Sequence, residues 1–137
     1  MNYYLKLFSY GVVLSAVATG SVFADNDKEQ QMYNMRKKVV ESNLYVFKSL
    51  FDSYKQDTSA YPTTDQGFKA LLENPLSGAN AAKWQGPYLK EVSPDPWGHP
   101  YQYQRNADGN IEIFSFGRDG KIDGQGMDKD IKLSDFK

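Results

Sequence analysis

Between Asp27 and Lys55 the chain contains neither Gly nor Pro, and this unbroken stretch constrains the fold more than any other feature. Val40, Leu44, Phe47, Phe51 and Tyr54 follow one another at steps of four, three, four and three, the repeat of one helical stripe. Met32, Met35, Val39, Val46 and Leu50 widen the stripe, while Lys28, Glu29, Gln30 and Gln31 thin it at the start. The segment reads as one long helix that packs over Val39–Tyr54 and projects or frays before it. Met and aromatic side chains at this period are read as core, not as a cofactor box.

The helix ends near Thr58-Ser59-Ala60-Tyr61-Pro62, because the residue before a proline is pushed toward extended geometry. Thr63 and Gln66 form a capping-box pattern, and Phe68, Leu71 and Leu72 give a short apolar face. A second, short helix is expected over Asp65–Glu73, stopped by Asn74-Pro75, with Leu76–Lys83 as a loop. From Trp84 onward the texture changes to breakers and alternation. Pro100–Gln104 and Ile111–Phe116 alternate with period two, and Asp108-Gly109 lies between them. That predicts an antiparallel hairpin with its aromatic face on the long helix, and a third short strand near Ile131–Leu133. The fold class expected is α+β.

The first 24 residues divide from the rest. Met1–Lys6 is short and carries one positive charge, Leu7–Phe23 is mostly apolar and uncharged, and Val22-Phe23-Ala24 is followed by a charged run. This is the order of a secretory signal peptide cut after Ala24. The rival is a retained anchor, for which the stretch is short and carries Ser9, Ser15, Thr19, Gly20 and Ser21, against roughly 20 predominantly apolar residues in a spanning helix. The division expected is a signal peptide over 1–24 and one domain over 25–137, with the long helix at 25–57 and an α/β globular part at 58–137.

Composition excludes several functions. A formal net charge of −1 leaves no basic footprint for nucleic acid. The absence of Cys removes disulfides, thiolate zinc sites and a Cys nucleophile. The single His, His99, lies between Gly98 and Pro100 and reads as a turn residue with no ligand set around it. Asp95, between two prolines, reads as a local backbone acceptor. Trp84 and Trp97 read as core caps. No nucleophile and base stand at a defined spacing, so no enzymatic activity is expected.

Gly117–Asp130 holds four Asp and four Gly in 14 residues. Calcium takes six to eight oxygens from carboxylates and backbone carbonyls, and Gly lets a loop curl tightly enough to supply them. Asp119 from one end and the Asp128/Asp130 pair from the other suit such a loop. The spacing is not that of an EF-hand. A solvated polar turn of the same composition is the competing reading.

Several motifs, taken in order, resemble one family. Tyr61-Pro62-Thr63-Thr64-Asp65-Gln66-Gly67-Phe68-Lys69-Ala70-Leu71 is similar to the Tyr-Pro-Thr-Thr-x-Gln-Gly-x-x-Ala-Leu signature of the major pseudopilin, the G subunit, of type II secretion systems. Trp84–Lys90, Asp95–Tyr103, Ser115–Gly120 and Asp128–Ile131 continue the resemblance, which covers roughly Tyr54–Ile131. It implies a pilin-like fold, with the long N-terminal helix packed on a small antiparallel sheet and a C-terminal calcium loop. It assigns calcium to the carboxylates of Asp119, Asp128 and Asp130 and to a backbone oxygen carried over to Phe116. Asp123 stands where the family usually has Gly, and either adds a ligand or faces solvent.

The implied partners are other pseudopilins or secretion-system proteins. The N-terminus departs from the family pattern: no Gly-Phe junction precedes an apolar run, and the first Glu is Glu29. Cleavage after Ala24 would leave no stable membrane anchor and a periplasmic or secreted protein. Retention would leave an anchored subunit able to enter a pseudopilus. A soluble binding module using the same fold for another partner is a further alternative.

Overall fold

The computed structural model describes residues 7–136, with side chains described from Val22 onward. The basic Met1–Lys6 segment of the expected signal peptide lies outside the described residues. Helix α1 runs over Leu7–Thr58, and the chain divides after Met35 into two compact units. In the first unit every side chain from Val22 to Met32 is exposed. This stretch is helical, so of the two expectations for it fraying is not met. The expected cleavage point after Ala24 falls within the helix.

The second unit, Arg36–Lys137, carries the core. Val40, Leu44, Phe47, Phe51 and Tyr54 are all buried, so one stripe of α1 faces inward as its spacing predicts. Val39 and Val46, expected to widen the stripe, are instead about half exposed at 50% and 52%. They sit one position off the buried row, and a helix contacting one layer buries only one face. The helix stops where Ser59 takes a positive φ of 73° and its N–H donates to the Lys55 carbonyl at 2.8 Å. Glycine usually fills this left-handed position after a helix end.

The capping box forms as expected. Thr63 N–H donates to Gln66 Oε1 at 2.9 Å, and Gln66 N–H donates to Thr63 Oγ1 at 3.3 Å. The helix behind it is shorter than Asp65–Glu73: α2 covers only Lys69–Leu72. Thr64–Phe68 forms turns because the backbone swings to φ +42° at Gly67 and leaves the helical region.

Three strands follow in the order β1 (Gln102–Arg105), β2 (Ile111–Ser115) and β3 (Ile131–Lys132), antiparallel throughout. Tyr103 faces Ile113 across the first pair, and Ser115 faces Ile131 across the second. The turn at Asn106–Asn110 closes the hairpin through Asn106 N–H to the Asn110 carbonyl at 2.8 Å. The aromatic face of the hairpin lies on α1 as expected. The Phe47 and Tyr101 ring centroids are 5.0 Å apart, and those of Phe51 and Tyr103 are 4.4 Å apart. Trp84 is half-buried against this core and donates its indole N–H to the Ala70 carbonyl at 3.0 Å. The sheet leaves its last long strand at Ser115 and returns at Ile131. The residues between form the tail loop.

Candidate functional site in the tail loop

The base of the loop is pinned by a buried carboxylate. Asp95 is 4% exposed. Its Oδ1 accepts the N–H groups of Trp97 at 3.0 Å and His99 at 2.9 Å, which closes the Pro94–His99 turn on itself. Its Oδ2 accepts the Ser115 hydroxyl at 2.5 Å, and Ser115 Oγ in turn accepts Gly117 N–H at 3.0 Å. One side chain therefore ties the turn to the end of β2. His99 adds a second tie, with Nδ1 3.1 Å from the Gly117 carbonyl oxygen. Asp95 is a backbone acceptor and His99 a turn residue, as their neighbours suggested. The link from Asp95 to Ser115 spans 20 residues and was not legible from local spacing.

The two limbs of the loop touch backbone to backbone. Gly117 has φ +70°, and a Cβ there would lie 2.7 Å from the Lys129 carbonyl oxygen. A Cβ on Gly124 would overlap the Asp128 carbonyl oxygen. Larger residues at either position would force the limbs apart. Asp123 adopts a left-handed φ of 64°, a region that glycine enters without steric cost. Its side chain is exposed.

The four residues expected at a calcium site differ in their surroundings. Phe116 is half-buried, with its ring 5.5 Å from that of Phe114. Asp119 is exposed, and its Oδ1 accepts Lys121 N–H at 3.0 Å. Asp128 is held by Arg118, with Nε to Oδ1 at 2.7 Å and Nη2 to Oδ2 at 3.2 Å. Hydrogen bonding from that guanidinium keeps the Asp128 carboxyl below its ordinary range. Asp130 is 4% exposed. Its Oδ2 lies 3.5 Å from Asp123 N–H, while its buried Oδ1 has no hydrogen-bond partner.

A buried carboxylate oxygen without a donor is costly unless a cation or proton meets it. Asp130 therefore fits a metal ligand. Among the described residues, however, no three carboxylate or imidazole groups converge closely enough to hold a metal ion. Arg118 was not singled out from the sequence as a functional residue. Its place beside Asp128 follows from the loop's closure, which local pattern does not give.

Elsewhere, Asp65, Lys69, Glu73 and Pro75 help to line an open cleft of about 300 Å³, which holds no residue of the tail loop. Among the described residues, no helix is long and apolar enough to cross a membrane.

Comparison with known proteins places the whole globular part in one group. The family model of the type II secretion system protein G matches residues 29–134. The type II secretion system core protein G of Vibrio cholerae is 33% identical over 129 residues, covering 91% of this chain and 84% of that protein. The protein of the same name from Pseudomonas aeruginosa is 38% identical over 95 residues, covering 68% of this chain and 67% of its own length. The crystal structure of the major pseudopilin from the type 2 secretion system of enterohaemorrhagic Escherichia coli superposes with a TM-score of 0.61. It shares 32% sequence identity, over 72% of this chain and 86% of that one.

Proposed function

The chain belongs to the type II secretion system protein G family, and from that premise we propose an exported pseudopilin-like component of such a machine, or of a related pilus machine, stabilised by calcium in its tail loop. It is not an enzyme, and it acts through protein contacts. Its partners are other pseudopilins or further secretion-system proteins, as the names of its relatives suggest.

The observation that carries the calcium reading is the buried, partnerless Oδ1 of Asp130. Asp119, Asp128 and Asp130 would hold the ion by their carboxylates, and Phe116 by its carbonyl. When bound, calcium supplies positive charge against a loop rich in carboxylates and ties its two limbs together. The chain's own residues prepare this. Asp95 and Ser115 fix the start of the loop, and Gly117 and Gly124 admit the close approach of the opposite limb. In-cell cross-linking from the exposed Val46 face of α1 tests the partner reading. Capture of other secretion-system proteins is expected, and capture of none of them overturns it.

A second reading has its own support: an anchored subunit that assembles into a pseudopilus. The match with the Vibrio cholerae protein covers so much of this chain that it reaches into the first 24 residues. Helix α1 also runs through Ala24 without a break. Mass spectrometry of the native protein separates the two readings. A mature start at Asp25 supports the exported form, and a retained apolar segment in the membrane fraction supports the anchored one.

A further inference from the structure

We propose that Lys121 and Ile122, at the tip of the tail loop, form a knob that seats in the cleft of a second copy of this chain, the cleft lined in part by Asp65, Ala70 and Pro75. The inference rests on the reading of an anchored subunit that assembles into a pseudopilus, and it names one contact between the copies.

Ile122 is 70% exposed on a tip that is otherwise polar, between Lys121 and Asp123. The tip is braced from within. Asp119 Oδ1 accepts Lys121 N–H at 3.0 Å, and Gly120 and Asp123 hold left-handed φ angles of 66° and 64° on either side. Gly124 then meets the Asp128 backbone so closely that a Cβ would overlap the carbonyl oxygen. A backbone already held in place loses little further freedom when its side chains are captured.

The cleft supplies what the knob lacks. It encloses about 300 Å³, and Ala70 and Pro75 give it apolar surface. Lys69 lies 3.6 Å from Glu73, which occupies both of those charges. Among the described residues, neither Asp65 nor Lys121 makes an ion pair. The chain thus presents a free carboxylate beside an apolar wall in one place, and a free ammonium beside an exposed Ile in another. Seating the knob buries Ile122 against Ala70 and Pro75 and brings Lys121 to Asp65.

The knob and the cleft are different patches, since no residue of the tail loop lines the cleft. A contact between unlike patches is heterologous, so each added copy still offers a free knob or a free cleft, and the contact repeats along an open run unless the rotation closes a ring. One knob covers far less than the roughly 1,000 Å² that a stable interface needs. It therefore contributes within an array whose subunits are already held near one another, where effective concentration compensates for weak affinity.

The test uses the absence of Cys from the chain. In cells assembling the machine, full-length copies carrying Lys121→Cys are expressed together with copies carrying Asp65→Cys, and disulfide-linked species are read on non-reducing gels. Dimers are expected from the mixture and not from either variant alone. A chain with both substitutions should give a ladder of multimers. Adding Ile122→Ser should weaken the association about tenfold, the loss expected when an Ile leaves an apolar wall. Lys121→Glu and Asp65→Lys in otherwise unaltered chains should each lower the yield of multimers by amine-reactive cross-linking by about two- to five-fold, and combining them should restore it. All three side chains are exposed, so the variants keep the fold. If the mixture gives no disulfide dimers, if either variant alone gives as many, or if Ile122→Ser leaves the yield unchanged, the knob is overturned. The assembly reading still stands in that event if amine-reactive cross-linking captures multimers of the wild-type chain. If neither method captures multimers, the assembly reading is overturned and the knob falls with it.

Discussion

Replacing Asp95 by Ala removes the tie between the Pro94–His99 turn and the end of β2. The carboxylate is 4% exposed and accepts three hydrogen bonds, from Trp97 N–H, His99 N–H and the Ser115 hydroxyl. Hydrogen bonds to a charged group contribute about 1.5–3 kcal/mol each. The three share one acceptor and are not additive, and water entering the vacated space recovers part of the loss. Relief from burying a carboxylate offsets a further part. A net loss of about 3 kcal/mol remains, combining these terms. In a domain near 100 residues each kcal/mol moves the midpoint by about 4–8 °C, so Tm is expected to fall by roughly 12–24 °C.

Urea unfolding of the full chain, followed by circular dichroism, should show a lower midpoint at an unchanged slope. Asp95→Asn keeps an acceptor for the two backbone N–H groups and disturbs only the Ser115 side. It should lose roughly a third as much, since one of the three bonds is affected. A loss below about 1 kcal/mol for Asp95→Ala, within the range of an ordinary surface substitution, would refute the pinning role. Equal losses for Ala and Asn would refute the assignment of two bonds to Oδ1.

Other outcomes are expected elsewhere in the fold. Phe51 is fully buried, with its ring 4.4 Å from Tyr103 and 5.3 Å from Phe68, so Phe51→Ala should cost about 3–5 kcal/mol in chemical denaturation. Ser59 holds φ 73° at the end of α1, where glycine is unstrained; Ser59→Gly should raise stability by about 0.5–1 kcal/mol despite the added freedom of the unfolded chain. Burial, reinforced by a hydrogen bond to Asp57 at 2.6 Å, pushes the Tyr88 hydroxyl up to about 12. Because the folded value is raised, the stability that Tyr88 contributes is complete below about pH 10 and is lost as pH rises toward 12. The difference between wild type and Tyr88→Phe in alkaline ultraviolet titration and melting checks this.

The elements built on local rules were legible in the sequence. The five residues at steps of four and three along α1 are buried, because helical periodicity needs only one layer to pack against. Thr63 and Gln66 cap one another, since that bond spans three residues. The hairpin closes across Asp108-Gly109 as its turn residues require. Positions that depend on tertiary placement were not legible. Val39 and Val46 are as apolar as their buried neighbours but lie off the stripe that packs into the core, and are half exposed. The length of α2 was overestimated because Gly67 sits inside an apolar pattern and breaks it with a backbone angle.

The tail loop divides in the same way. Its Asp and Gly content marked it as a candidate for a cation, and the carboxylates could be named from the chain. That Asp130 alone is buried, that Asp128 is held by Arg118, and that Asp95 reaches Ser115 all follow from contacts between strands and turns distant in sequence. Charge pattern gives composition, whereas burial decides which carboxylate lacks a partner.

Melting of the full chain with calcium and with chelator, in wild type and in Asp130→Asn, tests the calcium-stabilised loop most directly. Calcium at about 100 times its dissociation constant stabilises a folded state by about 2.7 kcal/mol, which is a rise in Tm of roughly 10–20 °C for a domain of this size. The account predicts that rise in wild type, its reversal by chelator, and its near-complete loss in Asp130→Asn. An identical Tm with calcium and chelator in wild type, or the same calcium shift in Asp130→Asn, would contradict it.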